Sequence, residues 1–402
     1  MKESGIDWIG QIPEEWEVTK LKYALLISNG KDYKDIEIEE GGYPVIGSGG
    51  VFARSRNYMY DGDVVLLGRK GTIDKPLFYS GKFWTVDTMF YSTALNGNNI
   101  KFMYYSSLLI PFSYYSTATA LPSMTQSDLN NHMLCLPSIS EQTKIADFLD
   151  KKTAQLDKAK SLLEEQIQKL KDYRASLIYE TVTKGLDKNV PMKDSGIDWI
   201  GQVPQGWGVK AIKYIFDEIG SGSTPKSDNE IFYDGDINWI QSGDLYQTDT
   251  VTSVSKTISY QGFKSTSALK IYQPPFVALA MYGASVGNVA ISYIDACVNQ
   301  AVVVMLGASE KVRFGKYAIE ASKNNLIFSA QGGTQPNISQ NLIKNWSIPQ
   351  PKNEEQEQIA DFLDKKTVQI DKLIQIKNEQ IENINKQRQT LIYDYVTGKR
   401  RV

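Results

Sequence analysis

Residues 141–184 read EQTKIADFLDKKTAQLDKAKSLLEEQIQKLKDYRASLIYETVTK, and the fold follows from this stretch. It holds neither proline nor glycine. Leucine returns at every seventh position: Leu149, Leu156, Leu163, Leu170 and Leu177. Ile145, Ala159, Ile167 and Tyr173 fill part of the same face. Seven-residue spacing keeps one apolar seam on one side of a slightly underwound helix, so the seam seeks a partner helix. Ser138 with Glu141 predicts a capping box at the start, and Gly185 supplies a stop. At about 1.5 Å per residue such a helix spans roughly 65 Å. That exceeds one globular core, and the helix reads as a spacer.

The chain repeats the device. EQEQIADFLDKKTVQIDK opens a second stretch at Glu355, which closes in LIYDYVTG at Gly398, and a constant offset of 214 residues relates the two copies. Ala146 to Thr153 recurs letter for letter as Ala360 to Thr367. The second ladder is Leu363, Ile370, Lys377, Ile384 and Leu391, with one charged rung at Lys377. Two such helices in one chain can satisfy each other's seams, and antiparallel packing would set the intervening regions at opposite ends.

A second repeat precedes each helix. KESGIDWIGQIPEEWEV at residues 2–18 returns as KDSGIDWIGQVPQGWGV at 193–209, offset by 191. Trp8 and Trp199 read as apolar anchors that dock on a neighbouring element, and the Gly-Gln-Ile/Val-Pro turns forbid a long helix there. The order is therefore anchor (1–18), variable region (19–139), helix (140–185), linker and anchor (186–209), variable region (210–352) and helix (353–402). A tandem duplication with divergent inserts outranks other cues.

Composition bounds the class. At 402 residues, 42% apolar and 22% charged, the chain accommodates two or three domains of globular type. The N-terminus lacks the apolar core of a signal peptide, and no run reaches the ~18 apolar residues of a membrane span. Cys135 and Cys297 suggest no disulfide framework, so a reducing cytoplasm is expected. His132 is the single histidine, which excludes multi-histidine metal sites; it reads as structural. A formal net charge of −2 announces no nucleic-acid binder, so any DNA phosphate would have to meet local basic patches.

The inserts read as mainly β. Val64 to Leu67, Val86 to Tyr91, Val277 to Ala280 and Val298 to Leu306 are short apolar runs bounded by Gly, Asp and Asn, and Phe102 to Leu109 and Phe314 to Ile319 suggest a helix in each. A shared skeleton persists: Leu67 to Thr72 aligns with Leu279 to Ala284, Val86 to Thr88 with Val298 to Gln300, and Ala120 to Met124 with Thr334 to Ile338.

This ordering resembles the specificity subunit of type I restriction–modification systems. The residues that carry it are GIDWIGQIPEEWEV, a variable β-rich region and EQ..IADFLDKKT, all repeated once. SGSTPKSDNEIFYDGDINWIQSGDL (221–245) resembles a common opening of the family's target-recognition domains, and MYGASVGN (281–288) another of their motifs. Arg69 to Asp74 departs from the latter by lacking its second glycine. The resemblance implies an α+β tandem pseudo-twofold repeat, with two β-rich target-recognition domains separated by two long antiparallel coiled-coil helices. It implies a non-catalytic chain in which each variable domain reads half of a bipartite double-stranded DNA site. The helices would set the gap and dock two methyltransferase subunits that bind S-adenosylmethionine and methylate adenine. Restriction subunits, with ATP and Mg2+, would complete the complex; neither a cofactor in this chain nor a membrane is implied.

Sequence readout needs hydrogen-bonding side chains at groove edges, while phosphate contacts position the protein. Candidates in the first insert are Arg54, Arg56, Asn57, Tyr58, Arg69, Lys70, Thr72, Ser123 and Thr125. In the second they are Lys226, Gln241, Tyr282, Ser285, Asn288, Gln331, Thr334, Gln335 and Asn337. Candidates for partner docking are Trp8, Asp147, Asp150, Lys151, Trp199, Asp361, Asp364 and Lys365, although helix carboxylates beside lysines also make an ordinary solvated face. Gln273-Pro274-Pro275-Phe276 resembles an amino-methyltransferase box, yet Gln stands first and no glycine-rich cofactor loop precedes it. It reads as a strand edge. No Walker-type loop occurs, so ATP hydrolysis is not expected. The rival classes are a stand-alone DNA methyltransferase or nuclease on a similar fold, and a coiled-coil adaptor that binds protein alone.

Overall fold

The computed structural model describes residues 1–115, 122–330 and 337–402. It contains helices α1 (Ile100–Ser107), α2 (Phe112–Tyr115), α3 (Gln126–Asn131), α4 (Ile139–Lys184), α5 (Tyr260–Lys264), α6 (Ser309–Ser329), α7 (Gln340–Asn345) and α8 (Asn353–Val396). The chain divides into two compact units, Met1–Glu164 with Asn378–Val402, and Glu165–Lys377. Each unit thus owns one insert, half of α4 and half of α8.

In the first unit a seven-stranded sheet runs from edge to edge as Leu25–Asn29, Met89–Ala94, Tyr60–Gly68, Leu77–Thr85, Tyr43–Gly47, Gly50–Ser55 and Glu37–Ile38. Val65 and Leu67 face α1 with Phe102 and Met103, all fully buried, because alternate residues of a strand share one face. The apolar run Val64 to Leu67 is buried throughout, as expected of a central strand. Glu17–Lys20 pairs antiparallel with Met133–Leu136, so both ends of the insert are zipped together beside the start of α4.

The second unit repeats the plan with more irregularity. Glu218–Ser221, Val302–Leu306, Phe276–Ala280, Val289–Ser292 and Thr250–Val251 form a five-stranded sheet, and Thr257–Ile258, Tyr233–Ile240 and Cys297–Val298 a three-stranded one. Gly208–Ala211 pairs with Ser347–Gln350 as the zipper. Its register matches the first copy: Val18 faces Cys135, and Val209 faces Pro349. Pro274 and Pro275 lead straight into the strand Phe276–Ala280, so the Gln-Pro-Pro-Phe segment is a strand edge.

The helices expected from the seams are present, and within each unit they pair antiparallel. Ile145 and Leu149, near the start of α4, share a core with Ile392 and Val396, near the end of α8. In the second unit Ile178 and Val182, near the end of α4, share a core with Ile359 and Leu363, near the start of α8. Each such side chain contributes about 1.5–3 kcal/mol by leaving water. The charged rung Lys377 is met by Gln166 at 2.5 Å. Tyr173, assigned to the seam, is instead 55% exposed. A 3.6-residue turn drifts from a strict seven-residue seam, and the buried positions pass to Ile178 and Val182. Both helices stop at glycines with left-handed backbone, Gly185 (φ 75°) and Gly398 (φ 72°).

Ser138 caps α4 as expected, accepting from the Glu141 amide at 3.3 Å. The Glu141 carboxylate does not close the box; it accepts from the Trp16 indole at 3.2 Å, and Glu355 accepts from Trp207 at 2.8 Å. The anchors are short hairpins, Lys2–Glu3 with Gln11–Ile12 and Met192–Asp194 with Gln202–Pro204. Among the described residues no helix is long and apolar enough to cross a membrane.

Candidate nucleic-acid interface

The scaffold beneath the inserts follows one plan in both copies, with lysine as the cation in the first and arginine in the second. Asp150 on α4 accepts from the Tyr105 hydroxyl at 2.8 Å and pairs with Lys101, both on α1. Asp364 on α8 accepts from Tyr317 at 2.7 Å and pairs with Arg313, both on α6. Thr153 and Thr367 complete each cluster, bonding the tyrosine hydroxyl at 3.1 and 3.3 Å. Burial first, then the adjacent carboxylate, raises both tyrosines well above the ordinary phenol range. They therefore stay neutral donors. The insert is thus fixed to its helix by a buried tyrosine bonded to a partly exposed carboxylate–cation pair.

Trp8 stacks on His132 at 6.3 Å, and Trp199 on Trp346 at 6.4 Å. His132 is 4% exposed, and burial pushes its pKa down to about 4. Its Nδ1 sits 2.9 Å from the Tyr115 hydroxyl. These are structural roles, as read for His132. Of the docking candidates, Trp199 (7% exposed), Asp150 and Asp364 have their side chains engaged inside the chain. Asp361 pairs with Arg313 at 2.7 Å but stays exposed. Asp147, Lys151 and Lys365 are exposed, and Trp8 is 36% so.

Above the scaffold the reading candidates gather in patches. In the first unit the Arg69 and Lys70 amides both bond Thr88, the Gly71 amide bonds Pro122, and Met124 bonds Arg69. Arg69, Lys70, Thr72 and Ser123 are thereby brought together. Gly71 makes the loop possible at φ 83°, and Gly283 holds the same φ in the second copy. Arg69 also donates to the Asp87 carbonyl at 3.2 Å. Thr125 caps α3, its hydroxyl accepting from the Asp128 amide at 3.1 Å. Elsewhere in the sheet Tyr58 meets Tyr43 at 5.0 Å, with Lys82 over its ring at 4.7 Å. Arg54 and Asn57 are exposed nearby, and Arg56 donates to the Asp35 carbonyl at 3.0 Å.

In the second unit the centre is Gln300, a residue not singled out from the sequence beyond its alignment with Thr88. Thr224 donates to it at 2.5 Å, and Tyr282 is hydrogen-bonded to it. The Asn299 amide bonds Ile240, which places Gln241 alongside. Lys226 is exposed two residues beyond Thr224. The Ile338 amide bonds Met281 at 2.8 Å, bringing Asn337 to the Tyr282 loop. Asn288 accepts from Lys323 at 2.6 Å, and Ser285 is only 6% exposed. Gln331, Thr334 and Gln335 lie outside the described residues. Gln300, Lys323 and Lys82 carry no local pattern, and Thr224 lies in the 221–245 motif without being singled out there; strand pairing and the packing of α6 assemble them. Among the described residues no cluster of His, Cys, Asp and Glu could hold a metal.

Two diverged polar faces, each bolted to an antiparallel helix pair by the same cluster, define a duplicated recognition protein. Residues 13–171 and 204–386 match the model of the type I restriction modification DNA specificity domain, and the chain belongs to that family. It is 25% identical to the type I restriction enzyme MjaVIII specificity subunit of Methanocaldococcus jannaschii, over 98% of this chain and 94% of that one. Its fold resembles a chain from a solved type I R-M system concerned with complex assembly and conformational transition (TM-score 0.74, 16% identity, 96% and 98% covered). A second solved relative is the HsdS subunit from Thermoanaerobacter tengcongensis (TM-score 0.50, 15% identity, 97% and 98% covered).

Proposed function

We propose that this chain is the non-catalytic DNA-reading subunit of a type I restriction–modification complex. Each insert reads one half of a bipartite duplex site. The helix pairs fix the gap and dock two methyltransferase subunits through their exposed faces, including Asp147, Lys151 and Lys365. Those subunits bind S-adenosylmethionine and methylate adenine; restriction subunits use ATP and Mg2+. One observation carries the reading: the tyrosine–carboxylate scaffold repeats in both copies, while the loop above it changes from Arg69-Lys70 to Met281-Tyr282. A constant mount under a varied face is what two readers of different half-sites require. Groove-edge contacts from Asn, Gln and Arg then discriminate bases by about 1–3 kcal/mol each.

The test is methylation mapping in a host that expresses this chain with its methyltransferase. A two-part adenine-methylated sequence with a fixed gap is expected, at two methyltransferases per chain by native mass measurement. A continuous site, or methylation by the chain alone, would favour the stand-alone enzyme.

A further inference from the structure

Tyr114 is 83% exposed and Phe328 92%, the highest values among large apolar and aromatic side chains of the described residues. They occupy the same position in the two inserts. The scaffold helices α1 and α6 run at an offset of 212, as Tyr105 and Tyr317 show; the second copy gains two residues where Pro111 breaks the first, and from there matched burial follows the offset of 214 that relates α4 to α8. Phe112 and Leu326 are buried two residues before; Met124 and Ile338 are buried ten residues after. Thr125 and Ser339 then cap α3 and α7 alike. The local backbone differs, since Tyr114 lies in the short α2 after Pro111 whereas Phe328 lies in the last turn of the continuous α6. The exposed aromatic survives that change.

A single exposed ring needs no explanation. Two at one position of diverged copies do. We infer that Tyr114 and Phe328 are equivalent contacts through which each insert stacks an aromatic ring on the bases of its half-site. The inference rests on the DNA-reading function proposed above.

Charge and placement select DNA as the occupant. No Asp or Glu lies between Asp87 and Asp128, nor between Glu320 and Glu354, in a chain that carries 46 acidic residues. Both rings therefore sit in segments free of the charge that phosphate repels. Pro122, eight residues after Tyr114, and Asn337, nine after Phe328, adjoin the reading loops, where the Gly71 amide bonds Pro122 and the Ile338 amide bonds Met281. Tyr114 has a firm base: its ring meets Tyr115 edge-on at 5.5 Å, and Tyr115 is tied to His132. Leu326, fully buried, anchors the turn of α6 that ends in Phe328. Aromatic rings stack on any base, and apolar side chains wedge between base steps, so this contact adds affinity without choosing a sequence.

The test uses the full chain assembled with its methyltransferase subunits and a duplex carrying the mapped site, read by fluorescence anisotropy. Phe328→Ala and Tyr114→Ala should each weaken binding by about tenfold. Phe328→Tyr and Tyr114→Phe should stay within about twofold of the parent. 2-Aminopurine in each half-site should report loss of stacking only in the half read by the altered insert. Exposure keeps both alanine variants folded, which melting curves check. If they bind like the parent while the parent still prefers its site over a scrambled duplex, the inference fails and DNA reading stands. If the parent shows no preference, the proposed function fails with it. If the variants lose methyltransferase assembly instead, the rings face protein and the inference is overturned.

Discussion

Protonating His132 would put a charge between Trp8 and Tyr115, in a site 4% exposed. Burial holds its pKa at about 4, below the ordinary 6.5. Between those values the unfolded chain takes up a proton that the folded one refuses. Stability of the first unit is therefore undiminished above about pH 6.5, falls as pH drops from there toward 4, and loses no more below 4 from this group. The full penalty is roughly 3 kcal/mol. His132→Phe keeps a ring against Trp8 but cannot titrate, so its melting temperature should fall less than the parent's between pH 7.5 and 5. An equal fall in both would remove His132 as the cause. The sequence showed a lone histidine without catalytic partners; it did not show Tyr115, which meets His132 only in the fold. Likewise Ser285 sits in a polar motif but is buried, and Gln300 lacked any motif yet centres its patch. Burial and strand pairing decide such matters, and neither is a local property of the chain.

Among the elements, α4 and α8 were the most legible, because period, caps and stop are all local signals. Their inward charges were not. Arg174 on α4 bonds Asp249 at 2.5 Å and Asp371 at 3.3 Å and pairs with Glu320, while Lys316, 1% exposed, bonds Asp249 and Glu320, each at 2.7 Å. Burial alone would raise the Asp249 carboxyl, but Lys316 and Arg174 hold it below the usual range. In the first unit Arg388 and Asp157 form the counterpart of Arg174 and Asp371 at 3.4 Å, and the aligned positions Tyr104 and Leu108 replace Lys316 and Glu320. The two inserts are thus mounted by the same geometry on different chemistry. Seam and surface should separate energetically. Leu363→Ala, at a fully buried position, should cost about 2–5 kcal/mol in urea unfolding of the isolated chain. Leu373→Ala, 48% exposed on the same helix, should stay within about 0.5 kcal/mol. Similar losses at both would mean that the seam is misplaced.

The whole molecule is a duplication in which scaffold and face have evolved apart. Ala146 to Thr153 and Ala360 to Thr367 are identical because both must present Asp, Thr and a buried leucine to an insert. The inserts differ at the reading loops, where Arg69-Lys70 stands against Met281-Tyr282 and Thr88 against Gln300. On the proposed reading that separation makes each insert an independent reader, and we propose that specificity resides in face residues such as Arg69, Tyr282, Gln300 and Asn337. The measurement that tests this most directly is an exchange. Residues 210–352 are replaced by the corresponding insert of a relative with a different mapped site, and methylated adenines are mapped in a host that carries the hybrid with its methyltransferase. The account predicts that one half-site changes to the donor's while the other half and the gap stay as they were; a change in both halves, or in the gap, would contradict it.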